Sequence, residues 1–99
     1  MALTDRQKKH LRRLGHPLHP IVLVGQRGLT DSVTAELGRA LHDHELVKVR
    51  VRVGNREARD AVLVELARAS GSEFVYRIGN VGLFYKENNK LKNILLPDS

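Results

Sequence analysis

Residues 46–53, which read LVKVRVRV, decide the fold of this chain. Valine occupies every second position from 47 to 53, and the positions between are all basic: Lys48, Arg50 and Arg52. Successive side chains of a strand point to opposite faces of a sheet, so the alternation predicts a β-strand with one apolar and one wet, basic face. We expect the valines to face helices packed on the sheet.

The sequence before this strand predicts a helix, a strand and a second helix. Thr4-Asp5-Arg6-Gln7 has the pattern of a capping box, which predicts a first helix over residues 5–14. The apolar run at 21–24 is typical of a short buried strand. Thr30 can cap a second helix over residues 30–44, in which apolar residues recur at helical spacing.

The sequence after it predicts a third helix and a hairpin. Asn55 can cap a helix over residues 56–70, which Gly71 closes. Strands over 73–78 and 81–86 flank Gly79-Asn80, a two-residue turn typical of hairpins.

This order predicts a compact α/β single domain over residues 1–99, with the element order α-β-α-β-α-β-β. Right-handed crossovers would make strands one and two parallel, and likewise two and three, with strand four antiparallel to strand three. We expect a four-stranded mixed sheet with the helices mainly on one face and the other face partly open.

Composition restricts the class of protein. The 99 residues include 17 Lys and Arg against 11 Asp and Glu, a net charge of +6, and no cysteine. Disulfides and thiolate chemistry are therefore excluded, which favours a reduced, cytoplasmic compartment. No apolar run approaches the roughly 20 residues of a membrane span, and no signal peptide is expected. The charge makes a polyanion the first partner to consider.

Two turns are the first candidates for binding a polyanion. Gly25-Gln26-Arg27-Gly28 follows strand one, and Gly54-Asn55-Arg56 follows strand two. Parallel strands end at the same edge, so both turns are expected along one rim, beside helix N-termini capped by Thr30 and Asn55. Such N-termini bind phosphate. A GxxG turn on its own is more often an ordinary strand-to-helix connection, and its position beside the second turn favours the functional interpretation.

Basic residues elsewhere extend the candidate surface. A first helix antiparallel to strand one would return Arg6, Lys8 and Lys9 to the same rim. The basic positions of strand two fit either contact with a polyanion or protection against strand-to-strand aggregation. The candidate contacts are Arg6, Lys8, Lys9, Arg12, Arg13, Gly25, Gln26, Arg27, Gly28, Thr30, Lys48, Arg50, Arg52, Asn55 and Arg56.

Other site types have less support in the sequence. The histidines at 16, 19, 42 and 44 have no carboxylates grouped with them at metal-ligand spacing, so we expect no metal site and no cofactor. No nucleophile with a base appears, so we expect no enzyme and no small-molecule substrate. The aromatic residues of the hairpin are expected in the core, with base stacking as the alternative: Phe74, Tyr76, Phe84 and Tyr85.

Several segments together resemble a known family. They are Gln7-Lys8-Lys9-His10-Leu11, His16-Pro17-Leu18, Val24-Gly25-Gln26-Arg27-Gly28-Leu29-Thr30, His44-Glu45-Leu46-Val47-Lys48-Val49, and Ile78-Gly79 followed by Tyr85. In these segments the chain resembles the bacterial single-domain, YhbY-like branch of the CRM domain, an RNA-binding fold.

The resemblance implies both a fold and a function. It implies a fold like the C-terminal domain of translation initiation factor 3, and a GxxG loop that clamps nucleic-acid backbone as in KH domains. It implies RNA binding by the loop at 25–28 and association with rRNA in precursors of the large ribosomal subunit, in which the protein assists assembly. A basic adaptor for acidic protein partners is the alternative. The sequence does not give the oligomeric state, for which a monomer is the simplest expectation.

Overall fold

The computed structural model describes residues 2–91 and 94–98, and its elements follow the predicted order. They are α1 (Asp5–Gly15), β1 (Pro20–Val24), α2 (Asp31–His44), β2 (Leu46–Val51), α3 (Arg56–Ser70), β3 (Glu73–Ile78) and β4 (Val81–Tyr85). Strand β2 ends two residues earlier than predicted. Its last partners are Val24 in β1 and Val81 in β4, so the chain beyond Val51 has no strand to pair with.

The helix ends are formed by the predicted caps. Thr4 and Gln7 make both bonds of the capping box, at 3.1 and 3.0 Å. Thr30 and Asn55 accept a backbone N–H at the start of α2 and α3. Gly71 ends α3 in the left-handed conformation, with φ 66°. These polar and glycine residues therefore fix the helix ends locally, as the sequence predicts.

The sheet has the order β1-β2-β4-β3. Strand β1 pairs parallel with β2, and β4 pairs antiparallel with both β2 and β3. Strands β2 and β3 run in the same direction, as predicted, but β4 lies between them. The tight turn at 79–80 places β4 beside β3, and its residues 82–85 are all buried, which suits an interior strand.

The main core lies between one face of the sheet and helices α2 and α3. Val47, Val49 and Val51 are at most 1% exposed and face these helices, which confirms the prediction from the alternating pattern. They pack with the other buried members of this core, Val22, Val24, Leu37, Leu41, Leu63, Leu66, Ala67 and Phe84. Burial of each Val, Leu or Phe side chain contributes about 1.5–3 kcal/mol.

Helix α1 lies on the opposite face of the sheet. Leu11 packs there with Leu46, Val75, Leu83 and Tyr85 in a second, smaller core. The helices are therefore mainly on one face, as predicted, and α1 covers part of the other. Towards the end of β1 and β3 this second face stays open, since Leu23 is 47% and Ile78 65% exposed.

A bulge in β3 changes which residues share a face. The register with β4 shifts between Phe74 and Tyr76, where Val75 is the extra residue. Phe74 therefore lies opposite Phe84 on the side of α2 and α3, whereas Tyr76 lies opposite Leu83 on the side of α1. In a regular strand, positions 74 and 76 would point to the same face.

Candidate nucleic-acid interface

Three connections lie side by side at the edge where β1 and β2 end. The backbone N–H of Arg52 donates to the carbonyl of Val24, and that of Val51 donates to the carbonyl of Asn80, both at 2.8 Å. The turns at 25–28, 52–55 and 79–80 therefore form one edge of the molecule, called here the rim. The prediction that the first two turns share an edge is confirmed, because β1 and β2 are parallel.

The turn at 25–28 is tight and open to solvent. Its ends are joined by the N–H of Gly28, which donates to the carbonyl of Gly25 at 3.0 Å. Gly28 has a φ of 74°, which favours glycine, and Gln26 and Arg27 are exposed. Gly25 has no such backbone requirement, and a Cβ added there would meet nothing within 4 Å. The packing of this chain therefore does not require a glycine at 25.

Two helix N-termini point to the rim. The Thr30 hydroxyl accepts from the N–H of Val33 at 3.2 Å, and the Asn55 carbonyl oxygen accepts from that of Ala58 at 2.9 Å. The amides of the first two residues of each helix have no acceptor within the helix. Asp31 and Glu57 stand in the first turns and offset part of the positive helix dipole. The positive potential of the rim therefore comes mainly from its arginines.

Arg27, Arg52 and Arg56 are exposed at the rim. In the described part of the chain the ion pairs are Arg68–Glu65 and Arg77–Asp60, so these three guanidinium groups stay available to a ligand. Arg59, one turn after Arg56 on α3, is not among the contacts predicted from the sequence. Its Nη1 donates to the carbonyl of Gly54 at 3.4 Å, and its Nε is buried without a partner among the described residues.

The prediction that the first half of α1 returns to the rim is wrong. Lys8 lies in a small pocket with Glu73 and Phe74, which begin β3 at the opposite edge of the sheet. The cause is the way α1 packs. A Cβ added at Gly15 would lie 2.8 Å from a methyl group of Leu83, so the helix sits directly on the second face instead of running beside β1.

The basic residues of α1 line two surfaces, and Lys9 and Arg13 belong to both. Arg6, Lys9 and Arg13 line a pocket of about 300 Å³ with His10 and Pro97, so these three bases share a face of the helix. A larger groove of about 980 Å³ lies between α1 and β3, called here the α1–β3 groove. Its lining residues are Asp5, Lys8, Lys9, Arg12, Arg13, His16, Pro17, Val75, Tyr76 and Ile78.

Lys48, Arg50 and Arg52, the basic residues that alternate with the valines, have different surroundings. The Lys48 Nζ donates to the carbonyls of His16 and Leu18, at 3.2 and 3.0 Å, and thereby holds the connection between α1 and β1. Arg50 is exposed on the open part of the second face, and Arg52 lies at the rim. Lys48 thus has a structural role, whereas the two arginines remain candidates for ligand contact.

Within residues 2–91 and 94–98, no three His, Asp or Glu side chains come together in a way that could hold a metal ion. In the same residues no helix has the length and apolar character needed to cross a membrane.

Comparison with known proteins places the chain in a family. Residues 3–86 match the model of the CRS1 / YhbY (CRM) domain. The chain is 48% identical over 90 residues to the probable RNA-binding protein PA4753 of Pseudomonas aeruginosa, covering 91% of this chain and 86% of that protein. It is 37% identical over 96 residues to an RNA-binding protein of Haemophilus influenzae, covering 97% and 96%.

A solved structure agrees with the fold described above. The solution structure of the hypothetical protein SAV1595 from Staphylococcus aureus superposes with a TM-score of 0.86, at 33% identity, covering 97% of this chain and all of that one. A family model matching most of the chain, close relatives of similar length and the same fold lead to one conclusion. The chain belongs to the CRS1 / YhbY (CRM) domain family.

Proposed function

We propose that this protein binds RNA and holds its sugar-phosphate backbone at the rim. The observation that carries the proposal is the turn at 25–28, which contains a glycine that packing does not require and the exposed Arg27, and which precedes the N-terminus of α2. A backbone without side chains lets a phosphate approach, while helix amides and a guanidinium supply donors to it. The names of the bacterial relatives, RNA-binding proteins, agree with this ligand.

The RNA we propose is the rRNA of large-subunit precursors, whose assembly in the cytoplasm the protein would assist without catalysing a reaction. The support for this finer step is the resemblance to the YhbY-like branch. The charge distribution agrees with a large RNA, because basic side chains stand on the rim, on the open sheet face and along α1. A ligand that contacts several of these surfaces must be extended and anionic.

The loop is tested with two variants that should leave the fold intact. Arg27→Ala removes an exposed cation and should weaken binding to a large-subunit rRNA fragment by about 1–2 kcal/mol, the size of a charge-assisted hydrogen bond. Gly25→Asp places a negative side chain in open space, where it should repel the phosphate and weaken binding more. Fluorescence anisotropy gives the affinities, and melting temperatures check the fold.

Arg39→Ala is the matched control, because Arg39 is also an exposed arginine but lies on the acidic segment of α2. We expect it to bind like the unmodified protein and to sediment with large-subunit precursors in cell extracts, whereas both loop variants sediment apart from them. If the unmodified protein and the three variants bind RNA with equal affinity and melt at the same temperature, RNA binding does not depend on this loop. Preferential binding of acidic peptides over RNA would favour the adaptor alternative.

A further inference from the structure

The α1–β3 groove combines two features that the rim lacks, namely an aromatic ring and a stacked guanidinium. The Arg12 guanidinium carbon lies 4.7 Å from the ring centroid of Tyr76, within the range of a cation–π contact. Tyr76 reaches this face only because of the bulge at Val75. The pair gives the groove a flat, partly apolar floor.

The remaining walls of the groove are mainly basic. Lys8, Lys9 and Arg13 line it, and Asp5 is the one acid among the described residues that do so. The ion pairs in the described part of the chain involve none of these cations. A ligand of this groove should therefore be anionic and should offer a flat face to the floor.

The groove is continuous with the rim. Ile78 lines the groove and ends β3, and the turn at 79–80 joins it to the rim, where Asn80 accepts from Val51. The two ends lie on β1 and β3, which are three strand spacings apart in the sheet, so the distance from the turn at 25–28 to Ile78 is about 14 Å at the usual spacing between strands. Arg50 is exposed on the same open face between them. One RNA strand can span this distance.

We propose that the α1–β3 groove binds an unpaired nucleotide, whose base stacks on the Arg12–Tyr76 pair while the lysines of α1 contact its flanking phosphates. The inference rests on the proposed function, since the nucleotide belongs to the RNA held at the rim. Bases in an A-form duplex keep their faces covered by their neighbours, so only an unpaired base offers its face to a side chain. The rim alone would not distinguish paired from unpaired RNA.

Intrinsic tyrosine fluorescence reports this contact directly. The chain has two tyrosines and no tryptophan, and Tyr85 is only 4% exposed. Titration with a short single-stranded RNA should quench Tyr76 in parallel with the binding measured by anisotropy. The same strand annealed to its complement should quench much less, and an oligoglutamate peptide should not quench. Equal quenching by the duplex or by the peptide would contradict an unpaired nucleotide as the ligand.

Two substitutions separate stacking from charge. Tyr76→Leu should abolish the quenching and weaken single-strand binding roughly tenfold, without changing the dependence on salt, since no phosphate contact is lost. Arg12→Lys keeps the charge but removes the planar group, and should weaken binding several-fold. Arg39→Lys, the matched control at an exposed arginine of α2 outside the groove, should not.

The outcomes distinguish this inference from the proposed function. RNA binding that depends on Arg27 but leaves tyrosine fluorescence unchanged, with Arg12→Lys equal to Arg39→Lys, overturns the groove proposal and leaves the rim in place. If Tyr76→Leu does not fold, the comparison of Arg12→Lys with Arg39→Lys, together with the titration of the unmodified protein, still decides between these outcomes. Absence of RNA binding by the unmodified protein overturns both proposals.

Discussion

Glu45 is a carboxylate completely enclosed between the end of α2 and the segment after β4. It is 0% exposed and has a φ of 63°, a conformation that side chains other than glycine seldom adopt. Its Oε2 accepts from the N–H of Asn88 at 2.8 Å, and its carbonyl accepts from the N–H of Lys86 at 2.9 Å. A buried acid in a strained conformation thus ties two distant segments together.

Replacement of Glu45 tests this role. Glu45→Ala leaves the half-buried N–H of Asn88 without this acceptor and keeps the backbone conformation costly, so we expect it to lower the free energy of unfolding by about 1–3 kcal/mol. Urea unfolding at constant m-value measures the change. Glu36→Ala, at an exposed position of α2, is the control and should change stability by less than about 0.5 kcal/mol. Similar effects of both substitutions would show that the contacts of Glu45 are not stabilising.

Tyr85 predicts how stability depends on alkaline pH. Burial raises the pKa of its phenol, and the neighbouring charges of Glu45 and Glu87 raise it further. The folded protein therefore keeps the proton where the unfolded chain, with a pKa of about 10, begins to lose it. The contribution of Tyr85 to the free energy of unfolding is complete below about pH 10 and is lost as the pH rises through the pKa of the folded state. Urea unfolding at several pH values measures this loss, which Tyr85→Phe should not show. If the free energy of unfolding of Tyr85→Phe falls above about pH 10 as steeply as that of the unmodified protein, the loss does not come from Tyr85.

At the scale of elements, the approach of α3 to the sheet depends on a residue without a side chain. A Cβ added at Gly82 in β4 would lie 2.7 Å from a methyl group of Leu63 and 3.3 Å from the ring of Phe84. Both neighbours are fully buried and cannot move into solvent. Gly82 therefore sets the distance between the helix and the strand, in the same way as Gly15 does for α1 on the other face.

Gly82→Ala should destabilise the protein by about 1–3 kcal/mol, the usual cost of overpacking a core. Gly38→Ala is the matched control, since an added Cβ there meets nothing within 4 Å and removes a flexible residue from the middle of α2. It should stabilise by about 0.5–1 kcal/mol. Chemical denaturation of the two variants should thus shift the midpoint in opposite directions. A midpoint for Gly82→Ala that is unchanged or higher would mean that Gly82 does not set the packing distance.

At the scale of the whole molecule, the net charge of +6 is distributed in blocks. Residues 1–30 carry six bases and one acid, and residues 46–56 carry four bases and no acid. The fold places the first block mostly on α1 and the second on the open face and the rim. An extended anionic ligand can therefore contact several cations at once, although they come from separate parts of the sequence.

RNA affinity should accordingly fall steeply with salt. If about six phosphates are neutralised, raising the salt from about 50 to 200 mM should cost about a thousandfold in affinity. Arg27→Ala should reduce the slope of log affinity against log salt by about one, because one phosphate contact is lost. Arg39→Ala should leave the slope unchanged. An RNA affinity that does not respond to salt would show that phosphate neutralisation does not dominate binding.

The sequence by itself determined the elements and much of the candidate rim. Caps, alternating valines and the two-residue turn depend on neighbours within a few positions, so Thr30, Asn55 and Gly79 could be assigned without knowing the rest of the fold. Because β1 and β2 are parallel, the order of elements was also enough to bring the turn at 25–28 and the N-terminus of α3 to one edge.

The tertiary structure alone decided where α1 lies, which strand is interior, and which face Tyr76 occupies. The path of α1 depends on the contact of Gly15 with Leu83, and the place of β4 depends on its pairing with two strands at once. The bulge at Val75 reverses the side-chain alternation that positions 74 and 76 would otherwise share. Each of these outcomes rests on packing between residues far apart in the chain, and local propensity and periodicity carry no information about such contacts.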